Sequence, residues 1–250
     1  IPEPTYQWSS APAVSTTFTA ISGATSASYT TGMISNAMSG TKYRCEATNS
    51  VGSATSTAAT LTVLVWRTND IGAVAAAGSS VLSGGIWTLT GSGNDIWGTS
   101  DEFRFTSQPT RGDVVITAQV TGLQNTNAWA KAGVMVRETT GATSRHAFTC
   151  LTASNGAAFQ RRRTTGGASV HTGGPAQLLA PGWVRLERVG NLFISSVSST
   201  GTTWTEIRRE TIVMDLAVHV GLAVTSHADG TLCTATFSNV TVVSVPVAMN

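Results

Sequence analysis

The stretch Asn127-Ala128-Trp129-Ala130-Lys131-Ala132-Gly133-Val134-Met135-Val136-Arg137-Glu138 alternates from residue 131 onward. Ala132, Val134 and Val136 fall on one side of an extended chain; Lys131, Gly133, Met135 and Arg137 fall on the other. A period of two belongs to a β-strand, because successive side chains leave a pleated backbone on opposite faces. The small and apolar set marks a core face. The opposite set mixes small residues with long polar ones.

The same alternation recurs on either side of this strand. Val218, Val220, Leu222 and Val224 oppose His219, Gly221, Ala223, Thr225 and His227. Phe159 points inward with Gln160 and Arg162 outward, and Val184 and Leu186 point inward with Arg185 and Glu187 outward. Segments are short, broken by Gly, Asn and Ser, and none carries a 3.6-residue stripe, so one short helical turn at most is expected. The fold class is all-β, and a sandwich of two sheets is expected. Midway along 130–137 and 218–227 the small outward residues would leave a shallow trough flanked by Trp129, Arg137 and His227. An indole for stacking, with Arg, Gln and His for hydroxyl groups, suits a sugar site. The candidate ligand-binding residues are therefore Trp129, Arg137, Gln160, Arg162, Arg185 and His227. The same pattern also fits a solvated outer face whose charges pair loosely across strands.

Composition narrows the function classes. Of 250 residues only 11% are charged, the net charge is +2, and 40 Thr and 27 Ser accompany 41% hydrophobic residues. That is too apolar for a disordered chain, and hydroxyl and β-branched residues favour sheet over helix. A charge of +2 cannot build a basic face for nucleic acid. No apolar run approaches ~20 residues, so no membrane span is expected. With two Lys and a Thr-rich surface, the chain reads as extracellular or cell-surface. Cys45, Cys150 and Cys233 fit no zinc spacing. A Cys150–Cys233 bridge and three small buried thiols both remain open. No cofactor and no metal site are expected; Asn94, Asp95 and Asp229 lack the Asp-x-Asp spacing of a calcium loop.

Composition shifts near Leu64-Val65-Trp66, with six of the seven Trp downstream. Upstream, Thr5-Tyr6-Gln7-Trp8 reads as a strand, Tyr43-Arg44-Cys45-Glu46-Ala47-Thr48-Asn49 as another, and Asn49-Ser50-Val51-Gly52 as the turn into a final strand. Trp, then Tyr-x-Cys, then a hairpin resembles the C, F and G strands of bacterial immunoglobulin-like modules. That resemblance implies a 1–64 domain lacking its first strands, with Trp8, Tyr43 and Cys45 on an uncovered inner face. Residues 244–250 read as a linker or donor-strand tail, in which Val245 and Val247 could add to the open domain of a neighbouring copy. Residues 65–243 resemble the concanavalin A-like jelly-roll modules of the DUF1349 or enolase-regulation-like group. The phrases carrying the likeness are Ala130–Glu138, Asn94-Asp95-Ile96-Trp97-Gly98 and Ala235-Thr236-Phe237-Ser238-Asn239-Val240. The family implies a two-sheet sandwich, often attached to carbohydrate-active or surface proteins.

No enzyme is expected. Jelly-roll glucanases carry Glu-x-Asp-x-Glu on one strand face, a spacing absent here, and Asp101-Glu102 would diverge in a strand. Two functions follow. One is an extracellular carbohydrate-binding module with an immunoglobulin-like spacer, its partner a polysaccharide or glycan. The other is a structural subunit of a filament or stalk, its partners neighbouring copies or adjoining domains.

Overall fold

The computed structural model describes residues 2–32, 34–63 and 65–245. It contains two compact units, Ile1–Val65 and Trp66–Asn250. Among the described residues there is no α-helix, only one 3-10 turn at Asn36–Met38, as expected of a Thr- and Ser-rich chain.

The first unit is a single sheet. Its strands are β1 (Thr5–Ala11), β2 (Thr19–Ala20), β3 (Lys42–Asn49), β4 (Gly52–Thr55) and β5 (Ala59–Thr60), in the order β2-β1-β3-β4 with β5 also on β3. Trp8 pairs with Cys45, and Ser10 with Tyr43, so Trp8, Tyr43 and Cys45 share one face. Tyr29 sits between the two aromatic rings at 6.1 and 6.0 Å, and Trp8 Nε1 donates to the Ser26 carbonyl at 3.0 Å. All three rings stay partly exposed. Among the described residues of this unit, Ala11 and Ala24 are the buried apolar ones.

The second unit is a sandwich. Its strands are β6 (Arg67–Ile71), β7 (Ser79–Ser83), β8 (Ile86–Gly91), β9 (Ile96–Trp97), β10 (Ser100–Asp101), β11 (Phe103–Arg111), β12 (Asp113–Leu123) and β13 (Lys131–Arg137). There follow β14 (His146–Thr152), β15 (Ala157–Arg162), β16 (Val170–Gly173), β17 (Gly182–Val189), β18 (Leu192–Ser198), β19 (Thr205–Thr211), β20 (Ala217–Thr225) and β21 (Cys233–Val245). One seven-stranded sheet runs β16-β15-β14-β13-β20-β11-β6, the other β19-β18-β17-β12-β21-β8-β7. Both are antiparallel. The core between them takes Ala132, Val134, Val136, Val220, Leu222 and Val224 from the first sheet, and Ile116, Ala118, Val184, Leu186 and Phe237 from the second. The six from the first sheet, with Val184 and Leu186, are residues that alternation assigns inward.

The outer face of the first sheet departs from expectation. All seven residues of β13 are buried, and so are all of β14 and β15. A second apolar cluster lies there, built from Ile71, Ile96, Phe103, Phe105, Met135, Phe148, Cys150, Ala158 and Ala223. The hairpin β9–β10 supplies its cover: Ile96 is wholly buried, a contribution of about 1.5–3 kcal/mol. Gly98, at φ 57°, makes the tight turn of that hairpin. The middle of the expected trough is therefore filled, because a nearby segment folds back over the small residues.

Two more expectations change. Ser244 and Val245 do not begin a free tail; they end β21, in register with Val114 and Asp113 of β12. Val245 thus has its backbone partner within its own sheet, and Val247 lies outside the described residues. The thiols of Cys45, Cys150 and Cys233 are all free. Cys150 belongs to the outer cluster and Cys233 to the core between the sheets, so the proposed bridge would have to cross a layer.

Candidate functional site

A cleft of about 420 Å³ opens at one end of the first sheet, lined by residues from five segments. The hairpin β9–β10 and the loop before it bring Trp97 and Asp95. The turn before β13 brings Trp129, and the first residue of β13 is Lys131. Gln160 comes from β15, His171 from β16, and His227 from the chain just after β20.

The walls are aromatic. His171 meets Trp129 edge-on at 5.7 Å between centroids and Trp97 at 6.5 Å. Both indoles remain more than a third exposed, at 39% for Trp97 and 37% for Trp129. An aromatic face left half in water beside a concavity is suited to stacking on an apolar patch of a ligand. Burial, with the charges of Lys131 and Arg161 added, pushes the His171 imidazole below its ordinary pKa, so the ring stays neutral at neutral pH.

The floor is polar and mostly buried. Lys131 is 1% exposed, its ammonium paired with the Asp95 carboxylate and 5.8 Å from the Trp129 ring centre. Ile96 N–H also donates to Asp95 Oδ1, at 2.7 Å. His227 Nδ1 lies 3.1 Å from Asp95 Oδ2 but is not aligned as a hydrogen bond. His227 holds φ at 52°, a conformation costing about 1 kcal/mol or more outside glycine. Gln160 is 3% exposed, and its Oε1 has no protein partner. A buried amide oxygen without a partner is costly unless something donates to it. The cleft therefore offers an acceptor at Gln160, a fixed ion pair, two imidazoles and two indole faces.

Of the six residues proposed from sequence, Trp129, Gln160 and His227 meet at this cleft. The other three do not. Arg137 and Arg162 are completely buried and bind the equally buried Asp101. Parity placed them correctly on the outer face, but the folded-back hairpin covers that face. Arg185 lies in the opposite sheet, paired with Glu187 at 3.1 Å and 5.6 Å from the Trp204 ring centre. Parity gives a face within a strand; it does not say which sheet the strand joins. Asp95, Trp97, Lys131 and His171 were missed. Lys131 was legible as the outward Lys beside Trp129. His171 becomes relevant only through its register with Gln160. Among the described residues no group of three or more His, Cys, Asp or Glu is placed to hold a metal ion. Asp229 instead accepts Ala75 N–H at 2.8 Å and Ser92 Oγ at 3.1 Å.

Residues 2–65 match the domain of unknown function DUF8696. No protein of curated function matches the sequence. Carbohydrate-binding module CBM66 from Bacillus subtilis superposes with a TM-score of 0.48 at 18% identity, over 72% of this chain and 95% of that one. A functionally unknown protein from Saccharomyces cerevisiae gives a TM-score of 0.55 at 19% identity, over 74% of this chain and 97% of that one. A point mutant of the GH43 protein BlXynB from Bacillus licheniformis gives 0.50 at 11% identity, over 67% of this chain and 38% of that one. The last two show a likeness of fold, and the chain is all-β, its larger unit a jelly-roll sandwich.

Proposed function

We propose that the larger unit is a non-catalytic carbohydrate-binding module of an extracellular protein, with the cleft as its site and the smaller unit as a spacer. The observation that carries this is the pairing of two half-exposed indoles with a floor of buried polar groups, one of them an unpartnered amide oxygen. A pyranose or furanose ring has this dual character: C–H faces for stacking and a rim of hydroxyl groups that both donate and accept. Trp129 and Trp97 supply the stacking surfaces. Gln160 Oε1 accepts from a hydroxyl, and Asp95 and the imidazoles complete the polar rim. Among the described residues Asp95 is the one carboxylate lining the cleft, and it is tied to Lys131. Glycosidases usually need two, ~5–9.5 Å apart, so the lining favours binding over hydrolysis.

The test is direct binding of the whole chain to a panel of β-glucans, galactans, fructans and chitin oligosaccharides, followed by calorimetry. Trp129→Ala should weaken the best ligand at least about tenfold, the loss expected of a central aromatic contact. Incubation with the same panel should release reducing ends only at background. No binding across the panel, or equal binding by Trp129→Ala, would defeat the proposal. A filament role is less well supported, since Val245 already pairs with Asp113.

A further inference from the structure

Arg162 was read from sequence as a ligand contact, yet it is buried to 0% exposure. Its guanidinium gathers three separate pieces of chain. Nε donates to the Gly167 carbonyl at 2.9 Å and Nη2 to Ser169 Oγ at 3.2 Å. Nη2 also donates to the carbonyls of Trp97 and Gly98, both at 3.1 Å. Nη1 reaches the Ser144 carbonyl at 3.1 Å and that of Ala142 at 3.3 Å. Asp101 closes the fork with two contacts of 2.6 Å, and Arg137 binds the same carboxylate at 2.6 Å.

Two of those pieces form walls of the cleft. The Trp97 and Gly98 carbonyls belong to the hairpin that presents Trp97 and, just before it, Asp95. Gly167 and Ser169 lead directly into β16, which presents His171. Ser169 N–H also donates to the Gly98 carbonyl at 2.8 Å, closing the link between the two walls. Burying a carboxylate among guanidinium groups is expensive, and an apolar filling would hold the layers together at less cost. An apolar filling would not fix the direction of five backbone carbonyls. A planar guanidinium with five donors does so in one rigid piece.

We propose that Arg162 is a positioning residue for the cleft: it touches no ligand, and it holds the Trp97 hairpin and the His171 strand in one relative placement. Asp101 orients the guanidinium, and Arg137 holds Asp101. Ligand affinity at the cleft therefore depends on a group shielded from it, a conclusion that rests on reading the cleft as a carbohydrate site.

Hydrogen exchange followed by mass spectrometry tests the positioning without any ligand. Arg162→Lys keeps the charge beside Asp101 and removes the fork. Arg188→Lys is the control: Arg188 is 1% exposed and bonds to the carbonyls of Gly190, Met214 and Asp215 in the other part of the sandwich. In Arg162→Lys, amides of 95–99 and 167–171 should exchange at least tenfold faster together, with the rest of both sheets unchanged. Arg188→Lys should leave both segments at the wild-type rate. Ser169→Ala, which removes one bond, should show a smaller rise in the same two segments and covers the case in which Arg162→Lys does not fold. Unchanged exchange in these segments, a uniform rise through both sheets, or the same pattern in Arg188→Lys would overturn the proposal. Affinity electrophoresis in gels containing soluble β-glucan or galactan supplies the second readout. There Arg162→Lys should lose at least tenfold in retardation constant while Arg188→Lys keeps it, and equal retention by Arg162→Lys would also overturn it. A wild-type chain that no gel retards counts against the carbohydrate reading, while the exchange result still decides the positioning.

Discussion

His146 sits beside the buried Asp101 with its Nδ1 3.6 Å from Asp101 Oδ2, and neither ring nitrogen has a hydrogen-bond partner. Complete burial pushes its pKa down to about 3; Asp101 pulls the other way, and the charges of Arg137 and Arg162 add to the fall. For Asp101, burial alone would raise the pKa, but the hydrogen bonds from Arg162 and the charges of Arg137 and Arg162 hold the carboxyl below its ordinary value. Both groups give the same sign. Between pH ~6.5 and ~3 the unfolded chain binds a proton at residue 146 that the folded chain refuses, so stability falls as pH drops. The slope from this one group approaches about 1.4 kcal/mol per pH unit, and protonation of Asp101 adds to the loss below pH ~4. Thermal unfolding measured from pH 7 to pH 3 should show this decline, and His146→Gln should flatten it above pH 4; an unchanged slope in that variant would contradict the assignment. The thiols give a second residue-scale expectation. Burial pushes Cys150 up to about 12 and raises Cys233 as well, whereas Cys45 is half-exposed. An aromatic disulfide reagent should label one thiol in the native protein and three after unfolding. Fewer than three in the unreduced, unfolded chain would mean a disulfide.

At the scale of elements, β13 is the strand on which the fold turns. It pairs with β14 on one side and β20 on the other, and both its faces are covered. Gly133 is the position where no side chain fits: a methyl there would lie 2.1 Å from the Thr149 carbonyl oxygen and 2.6 Å from Cys150 Cα. Backbone of a central strand cannot move aside as a flexible side chain can. Gly133→Ala should therefore cost about 3 kcal/mol, the upper end for overpacking. Urea denaturation would measure it, and a loss below 0.5 kcal/mol would show that the neighbouring strands do give way. The hairpin β9–β10 is the second decisive element. Ile96→Ala opens a hole in the outer cluster and should destabilise by about 2–5 kcal/mol, the range for large apolar residues truncated in a core. It should also loosen Trp97, readable as easier quenching of tryptophan fluorescence by acrylamide.

For the whole molecule, the two units differ in what they bury. Nearly all fully buried apolar side chains belong to Trp66–Asn250, which packs an inner core and an outer cluster. The first unit rests on two buried alanines and three half-exposed aromatic rings. A domain of that size with so thin a core has little reserve against the entropy of folding. Calorimetry of the whole chain should resolve two transitions, the lower one with the smaller enthalpy. Tyr43→Ala should lower that transition alone. One cooperative transition shifted as a whole by this change would contradict independent melting.

The alternation of apolar and polar residues determined the class of fold and the inward set of the strands around 130–137, 159–162, 184–187 and 218–227, because a pleated chain has a fixed period of two. Trp129, Gln160 and His227 were legible for the same reason: each stands at or beside a strand position that alternation sends outward. What alternation cannot encode is which strands share a sheet and what lies on top of one. Arg185 went to the opposite sheet, and Arg137 and Arg162 were enclosed by a hairpin 36 to 65 residues away in the chain. Trp97 and His171 became neighbours only when that hairpin folded over the sheet. Only the tertiary structure decided these placements, since they depend on long-range packing of Ile96 into an apolar cluster and on one guanidinium satisfied by chain segments remote in sequence.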